Sequence, residues 1–194
     1  QQTGFSFVTQ SRNMADEVGG IIWFSVDDAA STVYTPVYSS SREIPSTYAR
    51  GNGAMMEWSD DAAFWIFNQV SNFAYTRYNA IHPEIKVKQD SLENLYIKLV
   101  QDIDKKALEL LSSDKTAAIM YVTDFSVKNA DGLVHCWKKF YQYLFMKYMD
   151  GNVKTYIPGQ QNPKVEYPGY GEKWLRHIVK DNGEELQYIG APSH

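Results

Sequence analysis

Apolar and polar residues alternate with period two near the start of the chain. Phe5, Phe7 and Thr9 fall on one face and Ser6, Val8 and Gln10 on the other, all strand formers, which predicts a β-strand. A polar break over Arg12 to Glu17 and the Gly19-Gly20 pair lead into Ile21-Ile22-Trp23-Phe24-Ser25-Val26, a short apolar run of the kind that makes a strand buried on both faces. Asp27-Asp28-Ala29-Ala30 then supplies turn chemistry, and Thr32, Val33, Tyr34, Thr35 and Val37 favour a returning strand that stops near Pro36, which completes a hairpin. From Ser39 to Gly53 no period survives, and Ser, Arg, Pro and Gly mark a connection on the surface or along a cleft, with Gly51-Asn52-Gly53 as a turn.

Beyond it the period changes to that of a helix. Ser59 is a candidate N-cap, with Asp60 and Asp61 in a first turn where carboxylates complement the helix dipole; Ala63, Ile66, Phe67, Val70 and Ala74 follow as one stripe toward Asn79. Pro83 suits a new first turn, and Ile85, Leu92, Leu95, Leu99, Ile103, Ala107 and Leu110 predict a long amphipathic helix ending at Ser112-Ser113. Asp114 can cap a third helical region carrying Ala118, Tyr121, Phe125, Asn129, Leu133, Cys136, Phe140, Leu144 and Tyr148, with Asn129 the polar exception on the stripe. Thr123, Ser126 and Gly132 weaken its middle, so a kink, two helices end to end and one straight rod all stay open. Asp150-Gly151-Asn152 stops it. Residues 155–171, with three Pro and three Gly, predict extended, partly mobile chain before a short last helix over Glu172 to Val179, ended by Asn182-Gly183. The fold class is α+β, with short antiparallel strands at the N-terminal end followed by a mainly helical C-terminal region. It reads as a single lobe over 1–194: strands in 1–40, helices in 59–150, and an extended tail with a short helix in 151–194.

Composition narrows the classes. At 194 residues with 44% hydrophobic and 22% charged positions, the chain is long enough for one packed core, which excludes disorder for most of it. Five Trp, 14 Tyr and nine Phe call for large packed surfaces. A net charge of -4 argues against nucleic acid as a partner, and no apolar run approaches the roughly 20 residues that span a bilayer, so no membrane role and a soluble chain are expected. The compartment, bacterial cytoplasm or secreted and periplasmic, stays open. The chain begins with Gln1-Gln2 inside a strand-like segment, as a fragment does.

Candidate chemistry is sparse. His82, His135, His177 and His194 are scattered, so no metal site and no cofactor are expected. His135 and Cys136 are adjacent on a helix and point about 100° apart, which prevents a nucleophile–base pair; a buried structural Cys136 and a reactive one are the alternatives. Asp60-Asp61 is explained by a helix start, whereas for Asp27 in Asp27-Asp28 a turn and an acid/base role both stand. Arg12 ends a strand of neutral residues, where its guanidinium either faces a cleft and grips a carboxylate or is a solvated strand end. Trp23, Trp58, Trp65, Phe64 and Phe67 fit packing between a sheet and a helix.

The ordered strings carry more. Thr3-Gly4-Phe5-Ser6-Phe7-Val8 with Gln10-Ser11-Arg12, then Gly20-Ile21-Ile22-Trp23-Phe24 with Val26-Asp27-Asp28-Ala29-Ala30, resemble the C-terminal part of the cysteine dipeptidases of the N-terminal-nucleophile class, the dipeptidase A-like family related to secernins. Tyr34-Thr35-Pro36-Val37-Tyr38, Ala63-Phe64-Trp65-Ile66-Phe67-Asn68, Tyr78-Asn79, Thr123-Asp124-Phe125-Ser126, Trp137, Lys147-Tyr148 and the late Pro168-Gly169-Tyr170 with Glu172-Lys173-Trp174 follow in the same order.

This resemblance implies hydrolysis of dipeptides without a metal, by an N-terminal Cys thiol whose own α-amino group, with an ordinary pKa near 7.7–8.0, is the general base. It also implies an αββα core to which this segment contributes strands. Residue 1 is Gln and Cys136 is internal, so the resemblance places the catalytic residues upstream, none in this chain, and makes the chain inactive alone. Arg12 and Asp27 are the expected substrate-binding residues: Arg12 for the substrate carboxylate or the tetrahedral intermediate, Asp27 for the substrate amine or for orienting Arg12. The expected partners are a dipeptide substrate, the upstream catalytic part of the same protein and a further copy in a homo-oligomer. The alternative is a non-catalytic helical oligomerisation or interaction lobe, motivated by Phe140, Tyr141, Tyr143, Phe145, Tyr148 and Tyr156. A stand-alone thiol enzyme through Cys136 ranks last.

Overall fold

The period-two segment is strand β1 (Phe5–Ser11) in the computed structural model, which describes residues 3–49, 51 and 56–187. It pairs antiparallel with β2 (Gly20–Val26), from Phe5 opposite Val26 to Ser11 opposite Gly20. Strand β3 (Thr35–Tyr38) pairs antiparallel with β2, giving the order β1-β2-β3. Between β1 and β2 the polar break contains a four-residue helix, α1 (Asp16–Gly19), too short to show a period. The Gly20 of the glycine pair has a steric reason: a Cβ there would lie 2.3 Å from Ser39 Oγ.

Two strand expectations need correcting. β2 is not buried on both faces, since Ile21 and Ser25 are buried while Ile22 is 37% exposed. The returning strand starts at Thr35, after Thr32, Val33 and Tyr34, and runs to Tyr38 through Pro36, which an edge strand accommodates. Residues 27–34 form the connection, where Asp28 accepts bonds from Ala30 N at 3.1 Å and Ser31 Oγ at 2.9 Å. The Asn52-Gly53 part of the expected turn, Gln1-Gln2 and His194 lie outside the described residues.

The chain divides into two compact units, Gln1–Phe145 and Met146–His194. In the first, helices α2 (Ala63–Thr76), α3 (Tyr78–Leu111) and α4 (Lys115–Tyr148, its last residues in the second unit) supply most of the core. α2 begins four residues after Ser59, whose Oγ instead accepts from Asp61 N at 3.3 Å in a turn that precedes the helix. The break between α2 and α3 is Arg77, at φ −156° and ψ 62°, so α3 starts before Pro83 and carries it inside. α4 starts as expected, with Ala117 N donating to Asp114 Oδ1 at 3.0 Å. It is one continuous helix: the Thr123 and Ser126 hydroxyls bond the carbonyls of Ile119 and Val122, both at 2.7 Å, instead of breaking it.

The buried stripe of α3 is Ile81, Ile85, Gln89, Tyr96, Val100 and Ala107, whereas Leu95 is exposed. The buried face shares Ile85 and Ala107 with the leucine stripe of the sequence and is turned from it by only part of one residue step, which brings Gln89, Tyr96 and Val100 inward. Val18, Ile21 and Tyr38 from the sheet region meet Val100 and Ala107 of α3 and Val122 of α4 in one cluster. Elsewhere Phe67 of α2 stacks on the fully buried Trp137 of α4 at 5.2 Å.

α4 also closes the β3 side of the sheet. Asn129 Nδ2 donates to Thr35 Oγ1 at 3.0 Å, Tyr38 N donates to Ser126 Oγ at 3.1 Å and Arg42 N donates to Thr123 Oγ1 at 3.1 Å. These helix residues are three apart and lie on one face, which accounts for polar groups on an otherwise apolar stripe.

In the second unit, a turn over Met149–Gly151 places Asp150 at φ 59° and Gly151 at φ 72°. The expected extended chain is instead partly paired, as the antiparallel hairpin of β4 (Val153–Thr155) and β5 (Lys164–Glu166). Helix α5 (Glu172–Asn182) ends at the expected Asn182-Gly183, and its Trp174 stacks on Tyr170 at 4.2 Å. Among the described residues, no helix is long and apolar enough to cross a membrane.

Candidate functional site

A groove of about 630 Å³ runs between one face of β1–β2 and helix α3. Strand alternation sends Val8, Gln10 and Arg12 to the same side as Trp23, which is opposite Val8 in the register. From α3 come Glu93, Ile97, Val100, Gln101 and Asp104, on successive turns of one helix face.

Arg12 lines this groove and is held. Its guanidinium pairs with Asp104 through both terminal nitrogens, the second contact at 3.1 Å, with the side chains 16% and 13% exposed. It also donates to the carbonyls of Val18 and Gly19 at the end of α1. Four of its five N–H groups are thus engaged by Asp104, Val18 and Gly19. Tyr38 Oη donates to Asp104 Oδ1 at 2.6 Å and its ring lies 5.8 Å beneath the guanidinium carbon. Burial, with Asp104 adding to it, pushes the Tyr38 hydroxyl pKa well up.

Asp27 lies at the other end of the sheet, where its N donates to Gly4 O at 2.9 Å. It is 1% exposed, adopts φ 66° and accepts a short bond from Ser71 Oγ on α2. Arg12 follows Ser11 and Asp27 follows Val26, at opposite ends of the β1–β2 ladder, so about 20 Å of strand separates them and they do not share a ligand. The carboxylate that orients Arg12 is Asp104.

Asp104, Tyr38 and Glu93 escaped sequence reasoning. Gln89, Glu93, Tyr96, Val100, Asp104 and Ala107 follow one another at intervals of three and four. Charged residues on that stripe were the available signal, masked by the more apolar leucine stripe beside it. Cys136 is half-buried on α4. The Tyr96 hydroxyl pKa is pushed up chiefly by burial. Among the described residues, no group of three His, Cys, Asp or Glu side chains is placed to hold a metal.

The first unit is thus an α+β domain whose three-stranded antiparallel sheet is backed by helices on one face. The other face presents Phe5 (61% exposed), Phe7 (55%) and Ile22. The model of Peptidase family C69 matches residues 1–91, which span the sheet, α2 and the start of α3 and include Arg12, Trp23, Asp27 and Tyr34. Over that stretch the chain is similar to peptidase family C69. None of the curated proteins matches the chain.

Proposed function

We propose that this chain is the C-terminal part of a cysteine dipeptidase, with the nucleophilic N-terminal Cys supplied by an upstream part of the same protein, and that it is inactive alone. The observation that carries the reading is the coincidence of the C69 match with the sheet. The aromatic face of that sheet supports it: Phe5 stacks with Phe7 at 6.4 Å and with Phe24 at 6.0 Å. Such a face buries favourably against a second sheet in an αββα core. Cys136, internal on α4, has no α-amino group of its own to act as base.

In this reading Arg12 takes the substrate carboxylate, or the charge of the tetrahedral intermediate, through its remaining N–H. The clamp to Asp104, Val18 and Gly19 fixes its direction. Asp27, buried on Ser71, has a supporting role at the far end of the sheet. The decisive comparison is turnover of a dipeptide panel by the full-length protein and by this chain, each with and without thiol alkylation. Alkylation-sensitive activity confined to the full-length protein is expected; activity in the isolated chain overturns the reading. Unchanged turnover in full-length Arg12→Ala removes Arg12 from the site.

The alternative, an interaction lobe, rests on the exposed Tyr143 and Phe145 of α4. Light scattering that finds a monomer at high concentration counts against it.

A further inference from the structure

We propose that the α3 groove binds a primary ammonium carried on an apolar residue, as at the amino terminus of a peptide. The ligand class follows from the groove; its identification with a peptide terminus rests on the peptidase reading.

Arg12 and Asp104 neutralise each other, which leaves Glu93 as the remaining charged residue lining the groove; Lys86 feels its charge but is hydrogen-bonded to Asp90. Its Oε1 accepts from Tyr34 N at 3.1 Å, and Oε2 has no partner among the described residues. A carboxylate oxygen beside apolar walls favours a cation that brings its own donors.

The walls are fixed in advance. The Trp23 indole donates Nε1–H to Gln10 Oε1 at 3.0 Å. The Tyr34 hydroxyl is bonded to Ser6 Oγ at 2.8 Å, and Ser6 Oγ is bonded to the buried Ser25 Oγ at 2.8 Å. Two aromatic rings and a carboxylate, each held by a hydrogen bond, suit an ammonium. Val8, Ile97 and Val100 provide apolar surface for the substituent, and Ile97 is 50% exposed and free to be covered.

The size of the ligand at this end is limited. Glu93 and Asp104 are eleven residues apart on α3, about 16 Å, whereas two extended residues span about 7 Å. A dipeptide seated on Glu93 therefore leaves Arg12 unoccupied, and the carboxylate role given to Arg12 belongs to a ligand seated at the other end of the groove.

The test uses this chain and two ligands that need no turnover, leucine amide and N-acetyl-leucine amide, titrated below about pH 7, where an α-amino group is protonated. The readout is the Trp23 indole N–H resonance. Leucine amide is expected to bind about tenfold tighter than the acetylated compound, as a charge-assisted bond implies. Glu93→Gln, which keeps an acceptor for Tyr34 N, should erase that preference, and Ile97→Ser should weaken both ligands. Equal binding of the two ligands, no perturbation at Trp23, or an undiminished preference in a folded Glu93→Gln protein overturns the proposal. Dipeptide turnover by the full-length protein is a separate readout, so the binding proposal and the peptidase reading can fail independently.

Discussion

Tyr38 Oη donates to Asp104 Oδ1 at 2.6 Å while Arg12 pairs with the same carboxylate, so a residue of β3 and the residue that follows β1 are tied to one point on α3. The two ends of the strand order β1-β2-β3 are thereby fixed to a single helix. The groove lies beside this junction.

Because the pair is largely shielded from water, removing one partner strands the other. Asp104→Ala should destabilise the chain by about 3 kcal/mol. Tyr38→Phe, which removes one hydrogen bond and keeps the ring, should cost about 1 kcal/mol. Urea denaturation of both variants checks this, and equal losses would show that the ion pair contributes nothing beyond the hydroxyl.

The Tyr38, Tyr48 and Tyr96 hydroxyls are all pushed above the ordinary tyrosine range, chiefly by burial. An acid whose folded pKa is raised keeps its proton in the native state after the unfolded chain has lost it. Its stabilising contribution is therefore full below about pH 10 and falls as pH rises beyond. Phenolate absorbance followed with circular dichroism should show these tyrosines ionising together with unfolding. Tyr38→Phe should move that limb to higher pH; ionisation of all tyrosines before any loss of structure would contradict this.

Ser126 Oγ accepts from the buried Tyr38 N and is bonded to Ser41 Oγ at 3.1 Å. Ser126→Ala leaves a buried N–H unpaired, at a cost of about 1–3 kcal/mol. Hydrogen exchange should register it first at Tyr38, and unchanged protection there would refute the edge-covering role of α4.

The exposed aromatic face can be tested with a dye. Phe7→Ser in this chain should reduce binding of a hydrophobic fluorophore and change stability by less than about 0.5 kcal/mol, because the side chain is already in water. In the full-length protein the same change should cost about 3 kcal/mol if a second sheet covers the position. Equal effects in the two proteins would leave the face uncovered in both.

Cys136→Ser should leave dipeptide turnover of the full-length protein, and its sensitivity to alkylation, within twofold of about unity relative to the parent. Loss of sensitivity in that variant would transfer the nucleophile to Cys136.

The chain order of elements was legible because period two and period 3.6 are local: β1, β2, α2 and the capped start of α4 follow from side chains a few residues apart. The resemblance to peptidase family C69, matched over residues 1–91, was likewise carried by the sequence alone. What the linear pattern could not decide was how far the inward face of α3 extends beyond its apolar stripe. The inward face keeps Ile85 and Ala107 of the leucine stripe but extends past its edge, where Glu93 and Asp104 find Tyr34, Arg12 and Tyr38. Each charge there looks costly alone and becomes favourable only beside a partner 59, 92 or 66 positions away. For the same reason Arg12 was recognisable as a singular cation at a strand end, while its carboxylate was not. A strand sends residues 12 and 27 to opposite ends of one ladder, and only tertiary packing brings residue 104 to the first of them.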